Sequence, residues 1–238
     1  MGLYRDEGIV LRTHKLGESD RIVSIYTRGR GKVRAVAKGV RKTKSRFGAR
    51  LEPPTHLQLL LYEGRELDVV TQADTLDHFR PIRDDLDRLT RAVAMLEAVD
   101  QLGLEGEPNE PLYQMLLGAL RALAGHRGPL VVPAFFLKLL ALEGFRPVVD
   151  ECVECGSSDD LVSFDVDTGG TRCREHRQGG AVSPEALDLL RDILGGRLGA
   201  ALNVERSDAT VEVDHLAVRA MEHHLERRLR SIAVLDHG

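Results

Sequence analysis

The chain has 238 residues, 42% hydrophobic and 29% charged, with a formal net charge of −4. These are the proportions of an ordinary globular protein with room for one to three domains. No run of 18 or more apolar residues occurs and no apolar leader opens the chain, so a cytoplasmic protein is expected rather than a membrane-spanning or secreted one.

From residue 1 to about residue 75 the sequence alternates strand patterns with turn signals. Strands are predicted over 8–13, 21–27, 32–40, 55–62 and 66–75, punctuated by Gly17, by residues 28–31, by Pro53-Pro54 and by Glu63-Gly64. Five short strands in about 75 residues suit a small closed barrel, and the five-stranded barrel that commonly binds oligonucleotides is the OB-fold.

Within this region, residues 28–50 carry ten basic side chains and no acid: Arg28, Arg30, Lys32, Arg34, Lys38, Arg41, Lys42, Lys44, Arg46 and Arg50. Outside this stretch, the other 215 residues sum to −14. Such segregation makes one positive surface on an acidic body, and the expected partner of that surface is a phosphate backbone. Val33, Ala35 and Ala37 alternate with Lys32, Arg34, Val36 and Lys38, which predicts an apolar row facing inward and a mostly basic row facing outward. Residues 41–50 show no periodicity and are expected to form a basic lip beside that strand. The chain has no Trp, so Phe47, inside the lip, has two readings: a ring that stacks on a base, or an apolar pin that ties the loop to the barrel.

Beyond Pro81 the apolar period changes to three and four residues. Leu86, Leu89, Val93, Leu96 and Val99 mark one helix, and Leu112, Leu116, Leu120 and Leu123 a second, divided by a connection over 103–111. A third is predicted from near Pro133 through Phe136, Leu139 and Leu140 to Gly144. Ser183-Pro184 opens a fourth, with Leu187, Leu190 and Leu194 inward and Gly195-Gly196 ending it. A last helix is predicted from about Asp214, burying Val218, Met221, Leu225 and Ile232.

Between the third and fourth helices lie Cys152, Cys155, Cys173 and His176: C-x2-C, seventeen residues, C-x2-H. Three cysteines within 22 residues argue against a disulfide scaffold, and two ligand pairs at this spacing match a tetrahedral, ribbon-like structural zinc site. Gly156 suits the knuckle after the first pair, and Gly169-Gly170 a turn before the second. A four-ligand site leaves no open position for a water nucleophile, which disfavours a zinc hydrolase. Asp165 and Asp167 are expected on an exposed strand face rather than at a metal. No phosphate-binding loop of the ATPase type, no H-E-x-x-H and no G-x-S-x-G occurs. The expected architecture is therefore α+β: an OB-fold nucleic-acid-binding domain over 1–80, a helical domain over 81–149 and 181–238, and a zinc-binding insert over 150–180.

The stretch over 8–74, in particular Gly17-Glu18-Ser19-Asp20, Gly31-Lys32, Ala37-Lys38-Gly39-Val40-Arg41 and Ser45-Arg46-Phe47-Gly48, resembles the RecO family of bacterial recombination mediators. The resemblance extends over the whole chain, because the family has the same order of OB-fold, helical domain and embedded zinc site. It implies a nonenzymatic protein that binds single- and double-stranded DNA, anneals complementary strands and associates with RecR. It further implies help in loading RecA onto DNA coated by single-strand binding protein, whose acidic tail is recognised. His176 departs from the family pattern, which usually has a fourth cysteine there. A competing class is a protein adaptor that meets DNA only within a complex.

Overall fold

The computed structural model describes residues 2–42, 45, 47–125, 128–226 and 229. The chain forms two compact units, a first built on Met1–Ala124 and a second on Gly125–Arg228. The first helices belong to the barrel's unit.

In the first unit, β1 (Leu3–Leu16), β2 (Asp20–Thr27), β3 (Gly31–Ala37), β4 (His56–Tyr62) and β5 (Asp68–Asp77) close a barrel in the order β1-β2-β3-β5-β4. β1 is longer than its sequence pattern indicates. Its first half pairs antiparallel with β4, its second half pairs antiparallel with β2, and a register shift between Val10 and Arg12 lets it turn from one partner to the other. β3 and β5 meet in parallel through Ala35 and Val36. The alternation in β3 is as predicted: Val33, Ala35 and Ala37 are buried, Arg34 is exposed, and Lys32 and Val36 are half-buried. The core is filled from every strand, with Val10, Ile25, Ala35, Leu59 and Val70 among its members, all fully buried or nearly so.

A short helix α1 (Arg80–Arg83) leads into α2 (Leu86–Leu102), which starts on the side chain of Asp85 accepting from Arg88 N–H, and is followed by α3 (Glu110–Gly125). α2 packs against β1 and β2. Its buried face is Ala92, Met95, Leu96 and Val99, whereas Leu86 is 79% exposed and Val93 is also exposed, so the predicted stripe is offset. Small alanines let the helix lie close to the strands.

The second unit contains α4 (Val131–Leu142), a three-stranded sheet of β6 (Leu161–Asp165), β7 (Gly170–Cys173) and β8 (Gly180–Ala181) in the order β7-β6-β8, then α5 (Pro184–Leu194), α6 (Leu198–Leu202) and α7 (Asp208–His224). α4, α5 and α7 pack on one another. Ser183 caps α5, as its Ser-Pro start predicts. α7 begins at Asp208, earlier than Asp214, because Ser207 and Thr210 form a reciprocal capping box; Val213, Ala217, Ala220 and Met221 face inward, while Val218 is only half-buried. Ile232 lies outside the described residues. No helix among the described residues is long and apolar enough to cross a membrane.

Candidate nucleic-acid interface and metal centre

The ten predicted basic residues divide into two groups. Those on the β2–β3 turn and on β3 are engaged by the first unit's own acids and carbonyls. Arg28 Nε donates to Glu110 Oε2 at 3.0 Å, Arg30 reaches Glu63 at 3.3 Å while lying 3.9 Å from the Tyr4 ring centre, and Arg34 stands 3.8 Å from Glu105. Gln114 and then Arg28 draw the Glu110 carboxyl below its usual range. Lys32 has a different role from the one its position in the run implies. Its Nζ donates to the backbone carbonyl of Asp100 at 2.6 Å, so it satisfies an open acceptor in the last turn of α2, a turn with no basic residue of its own. Arg12, from β1, pairs with the Asp100 carboxylate at 2.6 Å.

The α2–α3 connection, which carries Glu105 and leads into Glu110 at the start of α3, is held to the barrel by backbone. Lys32 N–H donates to Leu104 C=O at 3.0 Å, and Glu105 bridges to Gly31. Gly31 has φ +65°, and a Cβ there would stand 2.1 Å from Glu107 O, so no other residue fits the turn.

The second group lies on the β3–β4 connection. Lys38 and Lys42 are exposed and, among the described residues, neither is in a salt bridge. Arg41 donates from its guanidinium to Glu18 C=O at 3.0 Å and stays exposed; Arg50 is exposed on a single turn of 3-10 helix, Gly48–Leu51. Lys44 and Arg46 lie outside the described residues. Phe47 is 2% exposed and packed in the barrel core with Leu51, so the base-stacking role is corrected in favour of the apolar pin. Arg83 fixes the far end of the connection, donating to Glu52 C=O at 2.6 Å and to Pro54 C=O at 3.1 Å. The sequence reading missed this arginine and the acids of the α2–α3 connection and the first turn of α3, whose only advance signal is Glu105, Glu107 and Glu110 close together.

In the second unit the ligand atoms of Cys152, Cys155, Cys173 and His176 all lie within 4.8 Å of one another. Cys155 Sγ and Cys173 Sγ are 3.8 Å apart; His176 Nδ1 is 3.3 Å from Cys173 Sγ and 4.0 Å from Cys152 Sγ. A tetrahedral zinc with bonds of ~2.3 Å to sulfur and ~2.0 Å to nitrogen requires edges of about 3.5–3.8 Å, so the donor set fits that ion. Cys152 N–H donates to Ser157 C=O and Gly156 N–H to Cys152 C=O, both at 2.8 Å, which folds the first pair into a knuckle. The backbone N–H groups of Cys173 first, and of Cys155 and Glu154, pull the Cys152 thiol down to about 6 against the effect of burial. A thiolate there is what a metal requires. The sequence expectation for Asp165 is overturned: it is 3% exposed and its carboxylate binds Arg172 Nη2 at 2.9 Å, so this acid neutralises a buried cation under the hairpin.

A closed five-stranded barrel with an exposed basic loop, followed by helices and a small sheet that carries a three-cysteine, one-histidine cluster, defines an OB-fold protein with a potential metal centre. Residues 1–79 match the family model for the recombination protein O N terminal domain, and residues 83–233 match the one for the C terminal domain. Proteins named DNA repair protein RecO are 46% identical in Frankia casuarinae and 43% in Thermobifida fusca, each over 99% of both chains, and 44% in Streptomyces coelicolor over 99% of this chain and 100% of the relative. The chain belongs to the RecO family of DNA repair and recombination proteins.

Proposed function

We propose that this protein grips DNA non-covalently through phosphate contacts made by the β3–β4 connection: Lys38, Arg41, Lys42 and Arg50, with Lys44 and Arg46. It holds single- and double-stranded DNA, lowers the repulsion between complementary strands so that they anneal, and makes or breaks no bond. With RecR it helps load RecA onto DNA covered by single-strand binding protein, whose acidic tail it recognises, and it acts in the cytoplasm at the nucleoid. The single observation that carries the reading is the exposed position of Lys38 and Lys42, neither in a salt bridge among the described residues, in a segment without acids. Cys152, Cys155, Cys173 and His176 would hold one zinc ion, which supplies a cross-link for the hairpin and leaves no coordination position for a substrate.

Fluorescence anisotropy of labelled single-stranded DNA, titrated from 50 to 200 mM salt, tests the grip. Six phosphate contacts predict a slope of log K against log salt near −4 and a loss of roughly 300-fold over that range. Lys38→Ala with Lys42→Ala makes the slope shallower by about 0.7 per residue and weakens all sequences alike. Binding insensitive to salt refutes the reading. For the metal, elemental analysis of the purified chain is expected to give one zinc, and the cobalt-substituted protein a tetrahedral thiolate spectrum; no retained metal, or a spectrum with bound water, refutes it.

One observation favours the adaptor reading: Arg28, Arg30 and Arg34 already face carboxylates. Absence of DNA binding by the isolated chain, with binding restored by a partner, decides for it.

A further inference from the structure

The exposed lysines of the β3–β4 connection flank a turn that is not held by that connection alone. Gly39 N–H donates to Asp20 Oδ1 at 2.7 Å, and Ser19 Oγ donates to the same oxygen at 2.8 Å. The contact is returned in the opposite direction: Arg41 N–H donates to Ser19 C=O at 3.0 Å, and the Arg41 guanidinium donates to Glu18 C=O, also at 3.0 Å. The tip of the β1–β2 hairpin and the start of the basic connection are therefore joined by reciprocal bonds. Gly39 has φ +66°, a conformation open to glycine at no steric cost, and the turn is closed by Lys42 N–H donating to Gly39 C=O at 3.2 Å.

Asp20 is a carboxylate beside a surface that is to attract phosphate, and on charge alone it weakens that surface. Its geometry offers a compensating role. We infer that Asp20 is a positioning residue for nucleic-acid binding: its carboxylate oxygen fixes the backbone at Gly39 and so aims Lys38, one residue before, and Lys42, three residues after. The Gly39 N–H, then the Ser19 hydroxyl and the charges of Lys38 and Lys42, hold the Asp20 carboxyl below its usual range, so the acceptor is ionised throughout the neutral region. Burial of the acid is modest, and a side chain kept in this place by two short donors is one whose removal frees the turn.

This inference rests on the proposal that the connection grips DNA, and its rival is that Asp20 acts only as a counter-charge. The two differ in how three substitutions rank. Asp20→Ala and Asp20→Asn change the charge equally, but asparagine keeps an oxygen for Gly39 N–H and alanine does not. Asp20→Glu keeps the charge and displaces the oxygen by one methylene. Positioning predicts that Asp20→Asn binds single-stranded DNA at least as tightly as the parent. Asp20→Ala and Asp20→Glu are each expected to weaken binding by about tenfold, with a salt slope shallower by about 1.4, the equivalent of two lost phosphate contacts. It further predicts that Asp20→Ala has no added effect on the Lys38→Ala, Lys42→Ala background.

Each affinity is read by anisotropy in the full chain, well below the lowest unfolding midpoint of the set. If Asp20→Ala does not fold, Asp20→Glu carries the test by itself, since equality with the parent overturns the inference. Asp20→Ala and Asp20→Asn moving together, both tighter, also overturns it and leaves the DNA-binding proposal intact. A parent chain that binds at no salt concentration removes both.

Discussion

Replacing Phe47 separates two roles that the sequence could not tell apart, because the ring is 2% exposed and sits among Leu51 and the barrel strands. Phe→Ala at a buried site loses the transfer free energy of the ring and leaves a cavity, together about 3–5 kcal/mol. That is a large part of a typical stability of ~5–15 kcal/mol. For a chain of this size it lowers the thermal midpoint by about 6–20 °C. Phe47→Leu keeps an apolar pin while removing the aromatic face, so it isolates the stacking contribution. If the ring stacked on a base, its loss would cost ~1–3 kcal/mol of binding, about 5- to 150-fold. The buried position predicts instead that Phe47→Leu binds single-stranded DNA within about twofold of the parent at 25 °C. Differential scanning calorimetry and anisotropy on the same samples are the assays. An unchanged midpoint in Phe47→Ala, or a fivefold or greater binding loss in a fully folded Phe47→Leu, refutes the reasoning.

Lys32 offers the opposite pairing of effects, since its ammonium serves the last turn of α2 rather than solvent. Lys32→Met, which keeps the aliphatic stem, is expected to cost about 1–2 kcal/mol in urea unfolding and to leave DNA affinity and salt slope unchanged. His56, 4% exposed and 2.8 Å from the Tyr113 hydroxyl, has its pKa depressed by burial, with Arg121 acting in the same sense and Glu7 and Asp77 against it. A base whose folded-state pKa lies below its unfolded value of ~6.5 binds fewer protons when folded, so stability is complete above that value and is lost as the pH falls through the depressed pKa. Urea midpoints from pH 7 to 5 are expected to drop, and to drop less in His56→Gln; equal slopes in the two proteins refute the assignment.

The parts of the molecule that sequence disclosed are those set by local pattern. β3 was legible because one face of it is core and the other is not, which writes a period of two into Val33, Ala35 and Ala37. The metal cluster was legible because each ligand pair is a single tight turn, so spacing alone brings its two members together. β1 was only half legible: Tyr4, Arg5, Asp6 and Glu7 are polar, and what makes them strand is backbone pairing with β4 across the closure of the barrel. In α2 the large residues Leu86 and Val93 are exposed while alanines pack, so the apolar spacing identified a helix but not its buried face. The partners of the basic run were illegible for a stronger reason. Glu110 lies 82 positions from Arg28 and the Asp100 carbonyl 68 from Lys32, and no local pattern records a contact made by tertiary folding.

Charge counting over residues 28–50 thus overstates what is available to a ligand, but by different amounts at different residues. An exposed pair such as Arg28 with Glu110 contributes little to stability, because water and salt screen both groups. A phosphate that approaches Arg28 exchanges one weak partner for another that also releases counterion, so the pairing hardly removes that arginine from the surface. Lys32 is another matter, since moving its ammonium uncovers a carbonyl at the end of a helix packed on the barrel. What distinguishes the two is not net charge but whether the existing partner has access to water. By that criterion Lys38 and Lys42, exposed and in no salt bridge among the described residues, are the cations of the run most open to a phosphate, Arg28, Arg30 and Arg34 follow at small cost, and Lys32 belongs to the scaffold.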